Sequence, residues 1–234
     1  MADEAEATGP SFDDVRRQLE DVPVSPARLE ARRLAAAGRE VIERLVATTA
    51  PEDVLHRAAD LLQEASALLG EWPQGRLYEG YAESANSGDP HAFFDHSPVQ
   101  GVSNPLAPPI RLEVGDDGVV RGYVRFGSAY EGPPSSVHGG YVAAAFDEVL
   151  GVAQSLGGSP GMTGTLTIRY RKPTPLHADL RFESRLEWQE GRKIFCTGEL
   201  YAGELLCAEA EGIFISVDIA RMAELMAKRQ DARD

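Results

Sequence analysis

Between residues 110 and 217 the chain carries one apolar helical pattern and six strand patterns, and that ratio constrains the fold more than any other feature. Ile110, Leu112 and Val114 alternate with polar residues up to the turn Gly115-Asp116-Asp117-Gly118, and Val120, Val124 and Phe126 resume beyond it. A Gly- and Pro-bearing loop over 127–137 leads to a helical stretch over 140–156. Four strand patterns follow. Leu166, Ile168 and Tyr170 alternate in the first. In the second, Leu180, Phe182, Leu186 and Trp188 alternate with Arg181, Glu183, Arg185 and Glu187. The third spans 192–202 after the Glu190-Gly191 turn, and the fourth spans 204–217 after Ala202-Gly203. With a single helix to cover it, the sheet is protected on one face only. It must therefore be antiparallel and must curl around that helix.

An antiparallel sheet of about six strands wrapped around one long helix is the hotdog arrangement, of the α+β class, and it is the expected fold of residues 109–217. The 234-residue chain has room for more. Residues 1–22 are acidic and aperiodic and read as a flexible tail. A helical hairpin is expected over 23–72. Its first helix opens at Ser25-Pro26, an N-cap followed by proline, and carries Leu34, Val41, Ile42 and Leu45. Its second opens at Thr49-x-x-Glu52, in the form of a capping box, and runs through Val54, Leu55, Leu61, Leu62, Leu68 and Leu69 toward Gly70. The Arg and Glu residues between these apolar positions read as a solvated face. Residues 73–108 are rich in Gly, Pro, Ser and Asn and read as a connecting segment, pinned to the core by Phe93 and Phe94. Residues 218–234 hold an Arg- and Ala-rich surface helix over 218–231.

The net charge of −14 repels a phosphate backbone and excludes a nucleic-acid surface, but a local basic patch would still admit an anionic ligand. No stretch reaches 18 consecutive apolar residues, so no membrane span is expected. The opening MADEAEATGPSFDDV lacks the basic start and apolar run of a signal peptide, which points to the cytoplasm. Cys196 and Cys207 lie inside strand patterns and read as buried, reduced thiols. His91 and His96 share a loop without a Cys or third His nearby, so no metal is expected.

The chemistry concentrates in Ser136-Val137-His138-Gly139-Gly140-Tyr141-Val142-Ala143-Ala144-Ala145-Phe146-Asp147-Glu148. Gly139-Gly140 at a helix entrance leaves leading N–H groups uncovered at the positive end of the helix dipole, where an oxyanion can be held. Asp147 interrupts an otherwise apolar helix. Gly140, Ala143, Ala144 and Gly151 lie on its face, and small neighbours leave room for something to approach. Gly139 and Asp147 are eight residues apart, hence ~12 Å along a helix. A carbonyl group needs its oxyanion donor and its attacking group each within about 3 Å. One helix cannot easily supply both, and two subunits with antiparallel helices could.

His138-Gly139-Gly140 followed by a carboxylate nine residues after the His resembles the hotdog acyl-CoA thioesterases of the phenylacetate-pathway (PaaI-like) type and the mammalian thioesterase-superfamily proteins. The resemblance covers residues 97–217, including Ser97-Pro98-Val99, the strand Thr165–Tyr170 and Arg171-Lys172-Pro173. It implies a hydrolase of acyl-CoA that needs no cofactor beyond the CoA of its substrate and works as a homodimer, with a homotetramer of two dimers common among similar proteins. It implies that Gly139 supplies the N–H for the thioester oxygen and that His138 shapes that loop, beside Gly140. Asp147 activates water or attacks the carbonyl. Thr163, sixteen residues after Asp147, positions the water or the carboxylate. Arg169, Arg171 and Lys172 are candidates for the nucleotide phosphates, with an exposed strand edge as the plain alternative.

One departure stands out. Many relatives carry Asn or Gln six residues before the His, and here that position is Gly132. Glu148 competes with Asp147 as base but points about 100° away around the helix. A dimer that binds acyl-CoA or a lipid-like ligand without hydrolysing it is the second reading, and a dehydratase a weaker third. A thioester, being more electrophilic than an oxygen ester, requires no Ser-His-Asp triad.

Overall fold

In the computed structural model, residues 23–72, 92–158 and 161–217 are described. The expected tail over 1–22, the stretch 73–91 with His91, the side chain of Phe93 and the expected helix over 218–231 lie outside them. The helices are α1 (Pro26–Ala47), α2 (Glu52–Gly70), α3 (Ala92–His96) and α4 (Gly139–Ser155). The strands are β1 (Arg111–Val114), β2 (Val120–Val124), β3 (Gly161–Tyr170), β4 (Leu180–Glu190), β5 (Lys193–Ala202) and β6 (Leu205–Ser216), and a 3₁₀ turn spans Ser128–Tyr130.

The six strands form one sheet in the order β1-β2-β4-β5-β6-β3, antiparallel at every pairing. The ladder leaves β1 at one edge and the ten-residue β3 at the other. One face of the sheet wraps α4, whose Val142, Ala145, Phe146, Val149, Leu150 and Ala153 are buried against Phe182, Cys196, Leu200, Ala210 and Phe214. The helix can lie this close because Gly198 faces it: a Cβ there would already touch Leu150 and Phe146 at 3.4 Å. This is the expected hotdog fold, and the strand boundaries fall within a few residues of the sequence pattern.

Strand β4 corrects one detail. A bulge between Leu186 and Trp188 shifts the register, so that Leu186 pairs with Cys196 but Trp188 pairs with Phe195. Trp188 is thereby turned to the outer face, where it stacks on Phe195 with ring centroids 5.1 Å apart. The inward alternation expected from Leu180 to Trp188 stops at Leu186 because a bulge adds one unpaired residue and inverts the pleat.

The N-terminal helices also depart from expectation. Ser25 caps α1 as predicted, its Oγ accepting the Arg28 N–H at 3.2 Å. The capping box does not form: α2 starts at Glu52 behind Pro51 with no side-chain cap, and the Thr48 hydroxyl serves the Ala50 N–H instead. Nor do the helices close as a hairpin, since every residue from Pro51 to Trp72 is exposed. The face of α1 read as solvated is the face that docks. Arg32 grips the buried Asp95 of α3 through two bonds of 2.8 and 3.0 Å. Arg39 donates to the carbonyls of Val102 and Asn104 at 3.2 and 2.9 Å. The apolar stripe of Leu34, Val41 and Leu45 is the exposed one. Helix periodicity marks two faces, and it does not say which one finds a partner when the partner surface consists of loop carbonyls and a carboxylate. Within the connecting segment, Phe94 is half-buried and His96 is in contact with Arg28 at 3.3 Å.

Candidate active site

Helix α4 starts one residue earlier than the sequence suggests, because His138 is its N-cap. The imidazole Nδ1 accepts the Gly140 N–H at 3.0 Å. The His138 carbonyl accepts the N–H groups of Tyr141 and Val142 at 2.9 and 3.3 Å. Of the N–H groups at the helix entrance, that of Gly139 meets no acceptor among the described residues. The pair of glycines thus offers one donor rather than two, at the positive end of a 17-residue helix. Tyr170 of β3 fixes the same peptide from behind: its hydroxyl donates to the Gly139 carbonyl at 2.8 Å. A Cβ at residue 139 would stand 3.2 Å from that hydroxyl. Tyr170 is the site residue that sequence reasoning passed over. Its place at the end of an alternating strand gave it the look of a pattern member, and its contact depends on the pairing of β3 with β6.

Two turns along α4, Asp147 is exposed, and its Oδ1 accepts the Thr163 hydroxyl at 2.7 Å. A bulge at Gly164, between Thr163 and Thr165, lets Thr163 face the helix together with Leu166, Ile168 and Tyr170. The space anticipated from small neighbours is there. Ala143 and Ala144 are half-buried, and a Cβ at Gly151 would meet nothing within 4 Å. Glu148 turns elsewhere, into the loop after α3, where Gln100 Nε2 donates to it at 2.5 Å and the Ser97 hydroxyl lies at 3.4 Å. Burial pushes its carboxyl above the usual value, opposed in part by the Gln100 bond. The native state thus favours the protonated form, and that preference costs stability above the ordinary carboxylate range. Glu148→Gln is therefore expected to melt higher than the parent at neutral pH, the gain shrinking as the pH falls and vanishing below the ordinary carboxylate range, where Glu148 is protonated in the folded and unfolded chain alike. Thermal melts across that range read it directly, and an equal shift at every pH would contradict the burial account.

The basic residues sit apart from Asp147. Arg169 pairs with Glu211 at 3.1 Å and Arg171 with Glu209, on the face of β3 opposite Thr163 and Tyr170. Lys172 is exposed, its N–H bonded to the Cys207 carbonyl at 3.0 Å. Gly132 has a physical explanation. Its N–H closes a tight turn on the Ser136 carbonyl at 2.9 Å, and a Cβ there would come within 2.7 Å of the His138 Cα. With this loop path, an Asn or Gln at 132 has no place to stand.

The thioesterase superfamily profile matches residues 135–208, the stretch that runs from this loop through β5 into β6. A solved structure described as a thioesterase superfamily protein is 36% identical, with a TM-score of 0.69 over 79% of this chain and 94% of that one. The chain belongs to the thioesterase superfamily. That match reaches beyond the sheet and α4, because residues 109–217 make up less than half of the chain. Among curated relatives, the acyl-coenzyme A thioesterase THEM4 of Xenopus laevis is 34% identical over 93 residues, 39% of this chain and 42% of its own length. THEM4 of Mus musculus is 37% identical over 90 residues, 38% of this chain and 39% of its own length. The chain thus spans about two-fifths of the length of these curated relatives. Among the described residues, no helix is long and apolar enough to cross a membrane.

Proposed function

We propose that this superfamily member hydrolyses an acyl-CoA thioester to the free acid and CoA, with Asp147 as base or nucleophile and the Gly139 N–H as oxyanion donor. The observation that carries the reading is the pair of features on α4: an accessible carboxylate held by Thr163, and a helix entrance whose unshared N–H is locked by His138 and Tyr170. The THEM4 relatives, named acyl-coenzyme A thioesterases, support the substrate class.

The chemistry follows from these groups. Asp147 takes a proton from water as the water oxygen attacks the thioester carbonyl carbon. The Gly139 N–H receives the negative charge that builds on the carbonyl oxygen. Collapse breaks the carbon–sulfur bond, and the proton passes to the departing thiolate. If Asp147 attacks instead, an anhydride forms and water then cleaves it, with the same net balance. Thr163 holds Oδ1 and leaves Oδ2 for the proton or the carbonyl carbon. The eight-residue separation of Gly139 and Asp147, ~12 Å of helix rise, supports a site whose donor and carboxylate come from two subunits. The ten-residue edge of β3, unpaired among the described residues, fits that assembly, because a long open strand edge calls for a partner. A homodimer joined through β3 brings two α4 helices onto one continuous sheet and creates two equivalent sites. A tetramer of two such dimers is compatible with it. Lys172, exposed beside the end of β3, and Arg169 and Arg171, if released from their glutamates, are the cations proposed for the CoA phosphates.

The test is thiol release by the purified protein from a panel of short, medium, long and aromatic acyl-CoAs. Turnover on at least one is expected, and its pattern reports the acyl group. Stoichiometric binding of acyl-CoA without release would replace hydrolysis by the ligand-holding reading.

A further inference from the structure

We propose that α1 is a clamp on the oxyanion loop and that Glu43, in its last turns, is the positioning residue that transmits the clamp to Gly139. The inference deepens the hydrolytic reading and rests on it for its kinetic consequence.

The contact is built for a carboxylate. Glu43 Oε1 accepts the Ser128 N–H at 2.9 Å and Oε2 accepts the Ala129 N–H at 3.3 Å, so both oxygens are engaged by consecutive backbone donors. Gly127 completes the cradle, since a Cβ there would collide with the Glu43 carboxylate. His177 Nε2 stands 3.2 Å from the Ser128 hydroxyl and steadies the turn from the other side. Against desolvation, which would raise it, the bonds from Ser128 and Ala129 hold the Glu43 carboxyl below its ordinary value.

From that turn the path to the reaction centre is short. The Tyr130 N–H returns to the Gly127 carbonyl at 3.1 Å, and the Tyr130 carbonyl accepts the His138 N–H at 2.8 Å. The Tyr130 ring packs edge-on against Phe126 and Tyr141, with centroids 5.3 and 4.8 Å away, and its hydroxyl donates to the Leu106 carbonyl at 3.0 Å. His138 in turn holds the Gly140 N–H and sets the direction of the Gly139 N–H. Each link is a hydrogen bond between backbone and either a carboxylate, a carbonyl or an imidazole. A shift of the 127–130 turn therefore moves the N-cap. Oxyanion donors are sensitive to such shifts, because their worth lies in being aimed before the charge develops.

Helix α1 can serve as a fixed point because Glu43 is not what holds it. Arg32 on Asp95, Arg39 on the loop carbonyls, the buried Ala35 and the contact of Gly38 with Pro105 anchor the helix at its other turns. Removing the Glu43 charge then frees the turn and leaves the helix in place.

The experiment compares Glu43→Gln, in the 234-residue chain, with Arg39→Met, which weakens α1 at a different point. Thiol-release kinetics and hydrogen–deuterium exchange of peptides covering 127–142 are read on both. Glu43→Gln is expected to lower kcat about tenfold with KM within about twofold, and to speed exchange across 127–142. Arg39→Met is expected to speed exchange near 99–106 and to leave kcat within about twofold. Unchanged exchange over 127–142 in Glu43→Gln overturns the clamp, whatever the activity. Faster exchange with unaltered kcat, or an equal kcat loss in Arg39→Met, overturns the positioning role. If the parent protein releases no thiol from any acyl-CoA, the hydrolytic reading fails on its own, and exchange alone decides whether Glu43 holds the loop.

Discussion

Asp147→Asn is expected to cut thiol release by roughly 10²–10⁴-fold, the span that a positioned base commands. The fold and the assembly should be unaffected. Asn is isosteric, and its carbonyl oxygen can still accept the Thr163 hydroxyl that Asp147 Oδ1 accepts at 2.7 Å. The side chain is exposed within the subunit, so no buried charge is lost and no cavity opens. What disappears is the basic oxygen. Steady-state rates on the best substrate of the panel, with melting temperature and light-scattering mass as controls, separate the two effects. Undiminished turnover would move the base away from Asp147. Glu148 would be the next candidate, though Gln100 and Ser97 already occupy it.

The second large effect concerns the adjacent residue. Phe146→Ala should destabilise the protein by about 3–5 kcal/mol, the usual cost of emptying a closed aromatic site. Phe146 is fully buried, edge-on to Phe182 with centroids 5.0 Å apart, and it lies over the bare backbone of Gly198. Curved sheet and straight helix meet around this ring, and neither can close over a vacated volume without giving up other contacts. Urea unfolding should show a lower midpoint at unchanged slope. A loss below about 1 kcal/mol would mean that α4 resettles on the sheet, contrary to a close-packed interface.

The fold was legible because its main constraint is one of counting: one apolar helix cannot cover two faces of a six-stranded sheet, and strand alternation survives wherever one face is wet. The candidate site was legible for a different reason. An Asp in an apolar helix and paired glycines at its entrance are both locally unfavourable choices, and such conflicts mark function. What escaped depended on the third dimension. Tyr170 reaches the Gly139 carbonyl only through the register of β3 on β6. The bulge that turns Trp188 outward has no mark in the alternating sequence around it. Helix α1 docks by Arg32, Arg39 and Glu43, so the polar face that propensity assigns to solvent is the one in contact. The second donor expected from Gly140 is consumed by His138, a bond that requires the imidazole to fold back as a cap.

The two cysteines, set aside as ordinary core residues, bear on how the reaction can be followed at all. Both are free and fully buried on the strands behind α4. Desolvation pushes the Cys196 thiol up to about 12 and raises that of Cys207 as well. Disulfide reagents that report thiols react with the thiolate, so neither residue should compete for them while the protein is folded. Colour developing in a continuous assay then counts CoA and nothing else, and a slow protein-derived signal becomes a built-in gauge of unfolding.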